Sequence, residues 1–512
     1  MPSAAAGTSF LLEHLAVPRR LPRVWFFVGE RLTPLDGTFL ELEEVDESAH
    51  MHTGAILVFD PLPDGAPPSY EEVCRSLESR LGQLPRYRQR LSEPHTGGLS
   101  WPEWQDDVEF DVRRHVARAA LPAPGGDREL AEWSSGFFSQ RLDRHRPLWE
   151  MALVEGLAAG RWAIATKTHH CMVDGVGSVD VGHMLLDATA DAAPAARSSA
   201  NGGTGADEPS PSLAAERPAP IARGSLARLA HAWAGLLPAE TIRGAARMGA
   251  SGMLHPREAL ANARAAIDVI VRDELRGAPH TSLNVPIGTR RRFDVVRVPL
   301  ADLKAIKDSL GGTVNDVVLA VTAAGLRGLL EARGEELPAA GLRAMVPINV
   351  RAASEHFALG NRVSSLYVEL PLAEADLVGR YRETVARSQA LKSEGRQAAG
   401  TNAVIELAGL APPVLHATMA RALYATRLFN VTITNVPGPQ QTLYAHGAPL
   451  REIHPLVPLA AEHALGVAIV SYDGTVFFGV VADRDVVPDL DVMLDALGAS
   501  VEELLAVARA AG

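Results

Sequence analysis

The segment 191–220, DAAPAARSSANGGTGADEPSPSLAAERPAP, contains almost no large apolar side chain. Because such a composition cannot bury enough apolar surface to fold, it predicts a disordered linker, which we extend over residues 191–224. A chain of 512 residues also exceeds what one hydrophobic core usually supports. We therefore expect one domain at residues 31–190 and a second at residues 281–512.

The two regions outside the linker mix the hydrophobic periods of strands and helices. In the first region, GAILVFD (54–60) favours a strand and SYEEVCRSLESRL (69–81) favours a helix. In the second region, FDVVRVPL (293–300) favours a strand, and residues 313–334 favour a helix. YDG (472–474) lies between two β-rich runs and predicts a hairpin turn. The sequence therefore indicates an α/β or α+β class.

Two further segments flank these domains. Residues 1–30 contain the apolar run VWFFV beside the basic run PRRLPR and are predicted as an N-terminal extension, the alternatives being an ordered strand or a surface anchor. Residues 225–280 are predicted as a helical connection that begins with Ser225 as its cap. The apolar residues at helical spacing after this cap are Leu226, Leu229, Trp233 and Leu236. This stripe is expected to pack on its own protein, and the alternative is a lipid surface.

The charge and cysteine content exclude several classes of protein. A formal net charge of -12 argues against nucleic acid as the main partner, because phosphate binding needs a basic face. Two cysteines, Cys74 and Cys171, are too few for a disulfide framework. No run approaches the roughly 20 apolar residues of a membrane span, and Glu13 stands where a secretory signal would be apolar. We expect a cytoplasmic protein.

The segment THHCMVDG carries the chemistry that stands out in this sequence. The alternation before it predicts a strand, on which His169 and His170 point to opposite faces, and this disfavours a metal ion bound by both rings. Asp174 and Gly175 suit the turn from this strand to the following helix. A histidine at such an exposed strand end can act as a general base near its unperturbed pKa of about 6.5. The alternative is a structural histidine.

The pattern His-His-x-x-x-Asp-Gly resembles the signature of the bacterial wax ester synthase/diacylglycerol acyltransferase family. Other segments resemble family blocks in the expected order: LTPLDGTFL (32–40), RHRPLWE (144–150), NVPIGTRRR (284–292), TVNDVVLA (313–320), VPINVR (346–351), LGNRVS (359–364), TNVPGP (434–439) and ADRDVVPD (482–489). The shorter His-x-x-x-Asp core is shared with chloramphenicol acetyltransferase, plant BAHD enzymes and condensation domains. The resemblance implies an α/β fold of two chloramphenicol-acetyltransferase-like domains with the active-site tunnel between them.

The same resemblance implies an activity. An acyl-CoA-dependent O-acyltransferase is expected, which forms triacylglycerol from diacylglycerol, wax esters from long-chain alcohols, or both. Acyl-CoA is then a co-substrate, and no bound cofactor is implied. The alternatives are a related acyltransferase for a glycolipid or secondary-metabolite alcohol and an inactive lipid-binding homologue. Such a protein is expected in the cytoplasm, either free or peripheral on the inner face of the membrane or on lipid droplets.

The resemblance also assigns roles to single residues. The second histidine of the pair is catalytic in the family, so His170 is the implied proton acceptor and His169 the supporting residue. Asp174 either orients the imidazole or holds the loop by pairing with an arginine such as Arg351. Gly175 forms the turn. The absence of a covalent acyl-enzyme follows from a direct attack of the alcohol on the thioester.

Two further groups are expected around this site. Asn315 lies at the predicted start of a helix, where it either caps the helix or faces the tunnel and supports the oxyanion. The basic residues expected to contact the CoA phosphates are Arg290, Arg291 and Arg292, with Lys304 and Lys307 nearby. The alternative for this cluster is a solvated face. No P-loop and no dinucleotide-binding motif in a suitable context occurs, so ATP and NAD have no support in the sequence.

Overall fold

The computed structural model describes six segments of the chain: residues 30–92, 101–172, 185–190, 277–349, 363–394 and 428–511. Several predictions from the sequence lie outside these segments. They are the N-terminal extension up to residue 29, the linker 191–224, the helical connection up to residue 276, and the residues Asp174, Gly175 and Arg351.

The secondary structure of the described segments alternates between strands and helices. The strands are β1 (His52–Phe59), β2 (Gln89–Leu91), β3 (Trp104–Asp106), β4 (Val116–Ala120), β5 (Trp149–Glu155), β6 (Trp162–His169), β7 (Arg291–Pro299), β8 (Leu342–Asn349), β9 (Val363–Leu370), β10 (Val431–Pro437), β11 (Tyr444–Ala445), β12 (Ala448–Leu456), β13 (Leu465–Tyr472) and β14 (Thr475–Asp483). The α-helices are α1 (Pro34–Val45), α2 (Tyr70–Arg80), α3 (Asp127–Phe138), α4 (Leu300–Leu310), α5 (Val314–Ala332), α6 (Leu377–Glu394) and α7 (Leu490–Ala511). Short 3-10 turns lie at Leu81–Gln83, Pro85–Arg88, Val112–Arg114 and Ala158–Gly160.

The first sheet has the strand order β11-β12-β1-β6-β5-β4. β1 lies between β12 and β6 and pairs antiparallel with both, whereas β4 and β5 run parallel. Alternate residues of β1 enter two different cores: Ile56 and Val58 pack in a cluster that continues into the second sheet, and Leu57 and Phe59 pack in a cluster on the other face. Because both faces are buried, the sequence of β1 is an almost continuous apolar run.

The second sheet has the strand order β7-β14-β13-β10-β8-β9, in which β10 is parallel to both of its neighbours. β13 and β14 form the hairpin that the sequence predicts at residues 472–474. The two turn residues, Asp473 and Gly474, have φ angles of 44° and 81°. Positive φ at both positions is the signature of a type I′ turn, so the hairpin prediction is confirmed.

The free edge of β7 is covered by α3 of the first domain. The N–H groups of Arg291 and Phe293 donate to the hydroxyls of Ser139 and Ser135, at 2.7 and 2.9 Å. The two serines lie one helical turn apart, which matches the spacing of alternate residues on the strand closely enough to satisfy both amides. An open strand edge invites pairing with other chains, and here it joins the two halves of the molecule instead.

α5 is the central helix of the second domain. The hydroxyl of Thr313 accepts a hydrogen bond from the N–H of Asp316 at 3.3 Å, and the Asp316 carboxylate accepts one from the N–H of Thr313 at 2.9 Å. This capping box starts the helix where the sequence predicted it. The side chains from Asp316 to Leu326 are buried, and α5 packs against α4, α6 and α7.

β11 and β12 belong to the second domain by sequence but to the first sheet by pairing. The domain boundary predicted at residue 281 did not anticipate that these two strands join the first sheet, because the alternation of a strand does not indicate which strand it pairs with. The two sheets with their packed helices confirm the predicted α/β class. In the described part of the chain no single helix is long and apolar enough to cross a membrane, and α4 and α5 meet that criterion only together, as a pair bent by 100°.

Candidate active site

His169 is the last residue of β6 and lies in the interior. Its N–H donates to the carbonyl of Leu148 at 2.9 Å, and its partner across the strand pair is His52 of β1. The side chain is only 1% exposed. The strand that the sequence predicted is therefore present, and it ends at the first histidine of the pair.

The imidazole of His169 contacts a buried carboxylate on α1. Its Nε2 atom lies 2.7 Å from Oε2 of Glu43, and Oε1 of Glu43 accepts from Nε of Arg141 at 2.9 Å. Burial by itself would raise the pKa of Glu43, but the hydrogen bonds from His169 and Arg141, together with the positive charge of Arg141, outweigh burial and hold the pKa well below its ordinary value. Glu43 is thus an ionised interior carboxylate with a partner on each oxygen.

The second ring nitrogen of His169 holds the turn that follows β6. Nδ1 accepts a hydrogen bond from the N–H of Cys171 at 3.1 Å, and the carbonyl of His169 accepts one from the N–H of Met172 at 2.9 Å. A ring nitrogen that accepts a hydrogen bond carries no hydrogen, so the hydrogen of His169 is on Nε2 and is donated to Glu43. The ring therefore joins α1 to the backbone just after His170.

His170 lies in the turn and, unlike His169, is partly exposed. Its N–H donates to the carbonyl of Met51 at 2.8 Å. Its ring stacks on Phe39 of α1, with the ring centroids 4.0 Å apart and the planes inclined by 20°. The backbone and the plane of this imidazole are both held, and the residue as a whole is partly exposed.

One face of α1 contacts both histidines, because Phe39 and Glu43 lie one helical turn apart. The sequence predicted that the two rings point to opposite faces of one strand, but His170 lies beyond the end of β6. Within the described segments, no group of three or more His, Cys, Asp or Glu residues could hold a metal ion.

Two more histidines, His50 and His52, lie beside this turn with their ring centroids 5.6 Å apart. Burial lowers the pKa of His52 well below its ordinary value, and its Nε2 lies 3.0 Å from the carbonyl of Phe138. Burial, followed by the positive charge of Arg291, lowers the pKa of His50 to about 4. Both rings are therefore neutral at neutral pH. Neither histidine was among the residues that the sequence predicted for the site.

Lys167 lies two residues before His169 on the same face of β6 and is fully buried. Its ammonium group donates to the carbonyls of Gln140 and Phe137, at 2.9 and 3.3 Å, and pairs with Glu150 at 2.9 Å. A cation at the last carbonyls of a helix is favourable, so Lys167 anchors the C-terminal end of α3 to the strand that carries the histidines.

Asn315 is the second residue of α5 and is not its cap, since Thr313 and Asp316 form the capping box. The expectation that Asn315 caps the helix is therefore wrong. Its Oδ1 accepts a hydrogen bond from Nδ2 of Asn435 at 3.1 Å. This bond joins two of the sequence blocks that resembled the family, TVNDVVLA on α5 and TNVPGP at the end of β10.

Arg290 and Arg292 pair with carboxylates of their own chain near the surface. Arg290 pairs with Asp485, and Nη2 of Arg292 lies 2.5 Å from Oδ1 of Asp491. Arg290 is 65% exposed, so its guanidinium is accessible from solvent. Contact of these two arginines with CoA phosphates stays a prediction.

Arg291 lies in the interior, with 3% of its side chain exposed. Its guanidinium donates to the carbonyl of Gly288 at 2.6 Å and to that of Ser48, which precedes β1. The expectation that Arg291 contacts a CoA phosphate does not fit this buried position, because a phosphate in solution does not reach it. Arg291 instead joins the second sheet to the α1–β1 connection.

Phe39 and Glu43 were not among the residues that the sequence predicted for the site. The sequence LELEEV at the end of α1 is typical of a solvated helix face. Glu43 was therefore not predicted to be buried. However, Asp36, Phe39, Leu40 and Glu43 fall on one helical stripe. Glu43 lies one helical turn after Phe39 and Leu40 on the same side of the helix, and an acidic residue beside such apolar neighbours indicates a buried, paired charge that could have identified it.

Comparison with known families gives two matches that together span most of the chain. Residues 32–318 match the wax ester synthase/diacylglycerol acyltransferase catalytic domain. Residues 359–505 match the C-terminal domain of the same family. The first match contains both histidines and α1, and the second contains most of the second sheet.

Curated and solved relatives agree with these matches. A probable diacylglycerol O-acyltransferase of Mycobacterium tuberculosis is 33% identical over 490 residues, which cover 93% of this chain and 96% of that protein. The solved wax ester synthase/diacylglycerol acyltransferase from Marinobacter aquaeolei is 28% identical, with a TM-score of 0.63 over 93% of this chain and 99% of that one. The first condensation domain of the calcium-dependent antibiotic synthetase shares the fold, with a TM-score of 0.57 at 16% identity over 94% of this chain and 97% of its own.

Proposed function

The chain belongs to the wax ester synthase/diacylglycerol acyltransferase family and is an acyltransferase that uses acyl-CoA, and from this premise we propose the reaction of its site. The protein transfers the acyl group of a long-chain acyl-CoA to the hydroxyl of diacylglycerol, to that of a long-chain alcohol, or to both. The observation that carries this proposal is the position of His170: the residue is partly exposed at the end of β6, its N–H is bound by Met51, and its ring stacks on Phe39.

His170 is the proposed general base. The acceptor alcohol loses its proton to the imidazole as its oxygen attacks the thioester carbonyl carbon, and a tetrahedral oxyanion forms. The carbon–sulfur bond then breaks, and the CoA thiolate takes the proton back from the imidazolium. A base of this kind contributes about a hundred- to ten-thousandfold in rate, so positioning and oxyanion stabilisation supply the rest.

The transfer is proposed to proceed without a covalent acyl-enzyme. Cys171, the nucleophile nearest to His170 in sequence, is buried, and burial raises the pKa of its thiol well above the ordinary value. Because the thiolate is the nucleophilic form, this supports direct attack by the alcohol.

The remaining residues have supporting roles in this proposal. His169 holds the turn, and Asp174 and Gly175 shape the loop that follows it. Asn315 is the proposed donor to the oxyanion, with its amide oriented by Asn435. Arg290 and Arg292 are proposed contacts of the CoA phosphates, and peripheral attachment to a membrane or to lipid droplets is proposed for a protein whose substrates are lipids.

The test is release of free thiol from palmitoyl-CoA by the purified protein, with the product identified by lipid chromatography. Thiol release is expected only when an acceptor is supplied, and the acceptors compared are diacylglycerol, hexadecanol and a glycolipid. His170→Ala is expected to lower the rate at least about a hundredfold. The exposed His145 provides the control, His145→Ala, which should retain full activity. Thiol release that survives His170→Ala would eliminate His170 as the base.

A further inference from the structure

α1 contacts the side chains of both histidines. Phe39 stacks on His170, whereas Glu43 binds His169. Glu43 lies outside the His-His-x-x-x-Asp-Gly signature and is a buried carboxylate in direct contact with one of its residues. A buried charge is costly unless it is paired, so its presence beside this turn calls for a role.

The carboxylate of Glu43 is held in one orientation. Each oxygen has its own partner, His169 Nε2 at 2.7 Å and Arg141 Nε at 2.9 Å. Arg141 also donates from Nη2 to the backbone carbonyl of Glu43 at 3.2 Å, so the same arginine fixes the helix end and the side chain. With 2% of the Glu43 side chain exposed, water cannot replace these partners.

Glu43 is linked to the backbone beside His170 through the ring of His169. Glu43 fixes the ring of His169, whose Nδ1 accepts the N–H of Cys171 at 3.1 Å. The N–H of His170 is held by Met51 at 2.8 Å. The backbone is thereby held at His170 and at the residue that follows it, and the second of these bonds depends on the His169 ring.

We infer that Glu43 is a positioning residue of the acyltransferase: acting through His169, it fixes the turn that aims the His170 imidazole. This inference rests on the proposed role of His170 as the base. It assigns to Glu43 an effect on the chemical step and not on the binding of acyl-CoA, because its carboxylate binds His169 and Arg141 and only 2% of its side chain is exposed. A misaimed base lowers kcat, whereas KM changes little.

The kinetic test separates kcat from KM in matched variants. Glu43→Ala, which removes the acceptor of the His169 hydrogen bond, is expected to lower kcat about 20-fold or more, with KM for palmitoyl-CoA within about twofold of wild type. Glu43→Gln keeps a carbonyl oxygen for His169 and is expected to lose no more than about fivefold. The control is Glu44→Gln at the next position, which is 66% exposed and contacts Arg144 at 3.6 Å. A kcat within twofold of wild type in Glu43→Ala, or a loss confined to KM, would overturn the inference.

A double-mutant cycle tests the route through His169. The kcat of Glu43→Ala combined with His169→Ala is expected within about twofold of His169→Ala alone, because the inference routes the effect of the carboxylate through the His169 ring. Losses that multiply would overturn that route. If circular dichroism shows that Glu43→Ala does not fold, the same cycle with Glu43→Gln decides the question.

A second readout does not depend on turnover. Diethyl pyrocarbonate modifies accessible imidazoles, and peptide mass spectrometry gives the rate of modification at His170. A loosened turn is expected to raise this rate at least about threefold in Glu43→Ala and to leave it unchanged in Glu44→Gln. An unchanged rate in Glu43→Ala would overturn the inference.

If the wild type releases no thiol with any acceptor, the proposed function fails, whereas the modification rates still decide the role of Glu43.

Discussion

His169 and His170 are adjacent and have the same side chain, but they differ in burial and in the contacts of their rings. His169 is enclosed, with one ring nitrogen committed to Glu43 and the other to the backbone. His170 has a fixed backbone and a stacked ring but keeps access to solvent. The His169 ring cannot accept a substrate proton without breaking one of these hydrogen bonds, and this argues against His169 as the base.

Gly54 of β1 closely approaches β6, and this approach gives a prediction for a single residue. A Cβ at Gly54 would overlap the carbonyl oxygen of Thr166 on β6 and touch the ring of Phe138. Gly54→Ala is expected to lower the free energy of unfolding by about 3 kcal/mol, because two paired strands must move apart. Chemical denaturation followed by circular dichroism measures this loss.

The control for Gly54 is another glycine, Gly82. Nothing lies within 4 Å of a Cβ added there. Gly82→Ala is expected to change the free energy of unfolding by less than about 1 kcal/mol. Similar losses in the two variants would contradict the steric argument at Gly54.

The sequence predicted His170 but not the residues of α1 that hold the histidine pair. The motif indicated the histidine, and the alternation before it indicated the strand. Glu43 could not be paired with His169 in advance, because α1 and β6 are far apart in the chain and local spacing does not report which helix covers a strand end.

Among the contacts between secondary-structure elements, the side chain of Arg291 on β7 binds the connection between α1 and β1. Its guanidinium donates to the carbonyls of Gly288 and Ser48, and the buried carboxylate of Asp483 lies 3.9 Å away. Burial lowers the pKa of Arg291 to about 10, so it is still charged at neutral pH. This one side chain ties an element of the second sheet to the segment that leads into the histidine site.

Removing this arginine is expected to be costly. Arg291→Met removes one donor from the carbonyls of Gly288 and Ser48 and leaves the buried carboxylate of Asp483 without its nearby cation, so the free energy of unfolding should fall by about 3 kcal/mol. Arg290→Met, one residue away at an exposed pair, should change it by less than about 1 kcal/mol. Thermal and denaturant unfolding compare the two variants, and a larger loss in Arg290→Met would refute the assignment.

Elements that depend on local signals were predictable, and those that depend on distant partners were not. Ser69 and Glu72 form the capping box that begins α2 within the predicted helix, and Asp473 with Gly474 forms the predicted hairpin turn. The placement of β12 in the first sheet was not predictable, because its residues alternate like those of any strand. The burial of Arg291 was missed for the same reason, since a basic run is usually solvated.

Across the whole molecule, buried histidines predict a loss of stability in mild acid. Burial lowers the pKa values of His50, His52, His454 and His463. The unfolded chain binds protons on these groups below about pH 6.5, whereas folded His50 resists protonation down to about pH 4. The folded state is therefore fully favoured above pH 6.5, and each such group weakens it as the pH falls, by up to about 1.4 kcal/mol per pH unit.

His50 allows this expectation to be measured. Its charged neighbours are Arg291, Glu43 and Arg141, and His52 lies beside it. In His50→Gln, the slope of unfolding free energy against pH between 6.5 and 4 should decrease by about one proton relative to wild type. The exposed His145→Gln serves for comparison. An unchanged slope in His50→Gln would mean that this ring does not contribute.

The pairing of β12 with β1 also sets the order in which the molecule can be completed during its synthesis. β1 and β6 leave the ribosome early, but the strand that closes the open edge of β1 is made only after β7 to β10. A nascent chain that ends anywhere before residue 448 carries an unpaired strand edge, which is prone to association with other chains. The first sheet is therefore completed only when β12 has emerged, long after the histidine turn has been translated.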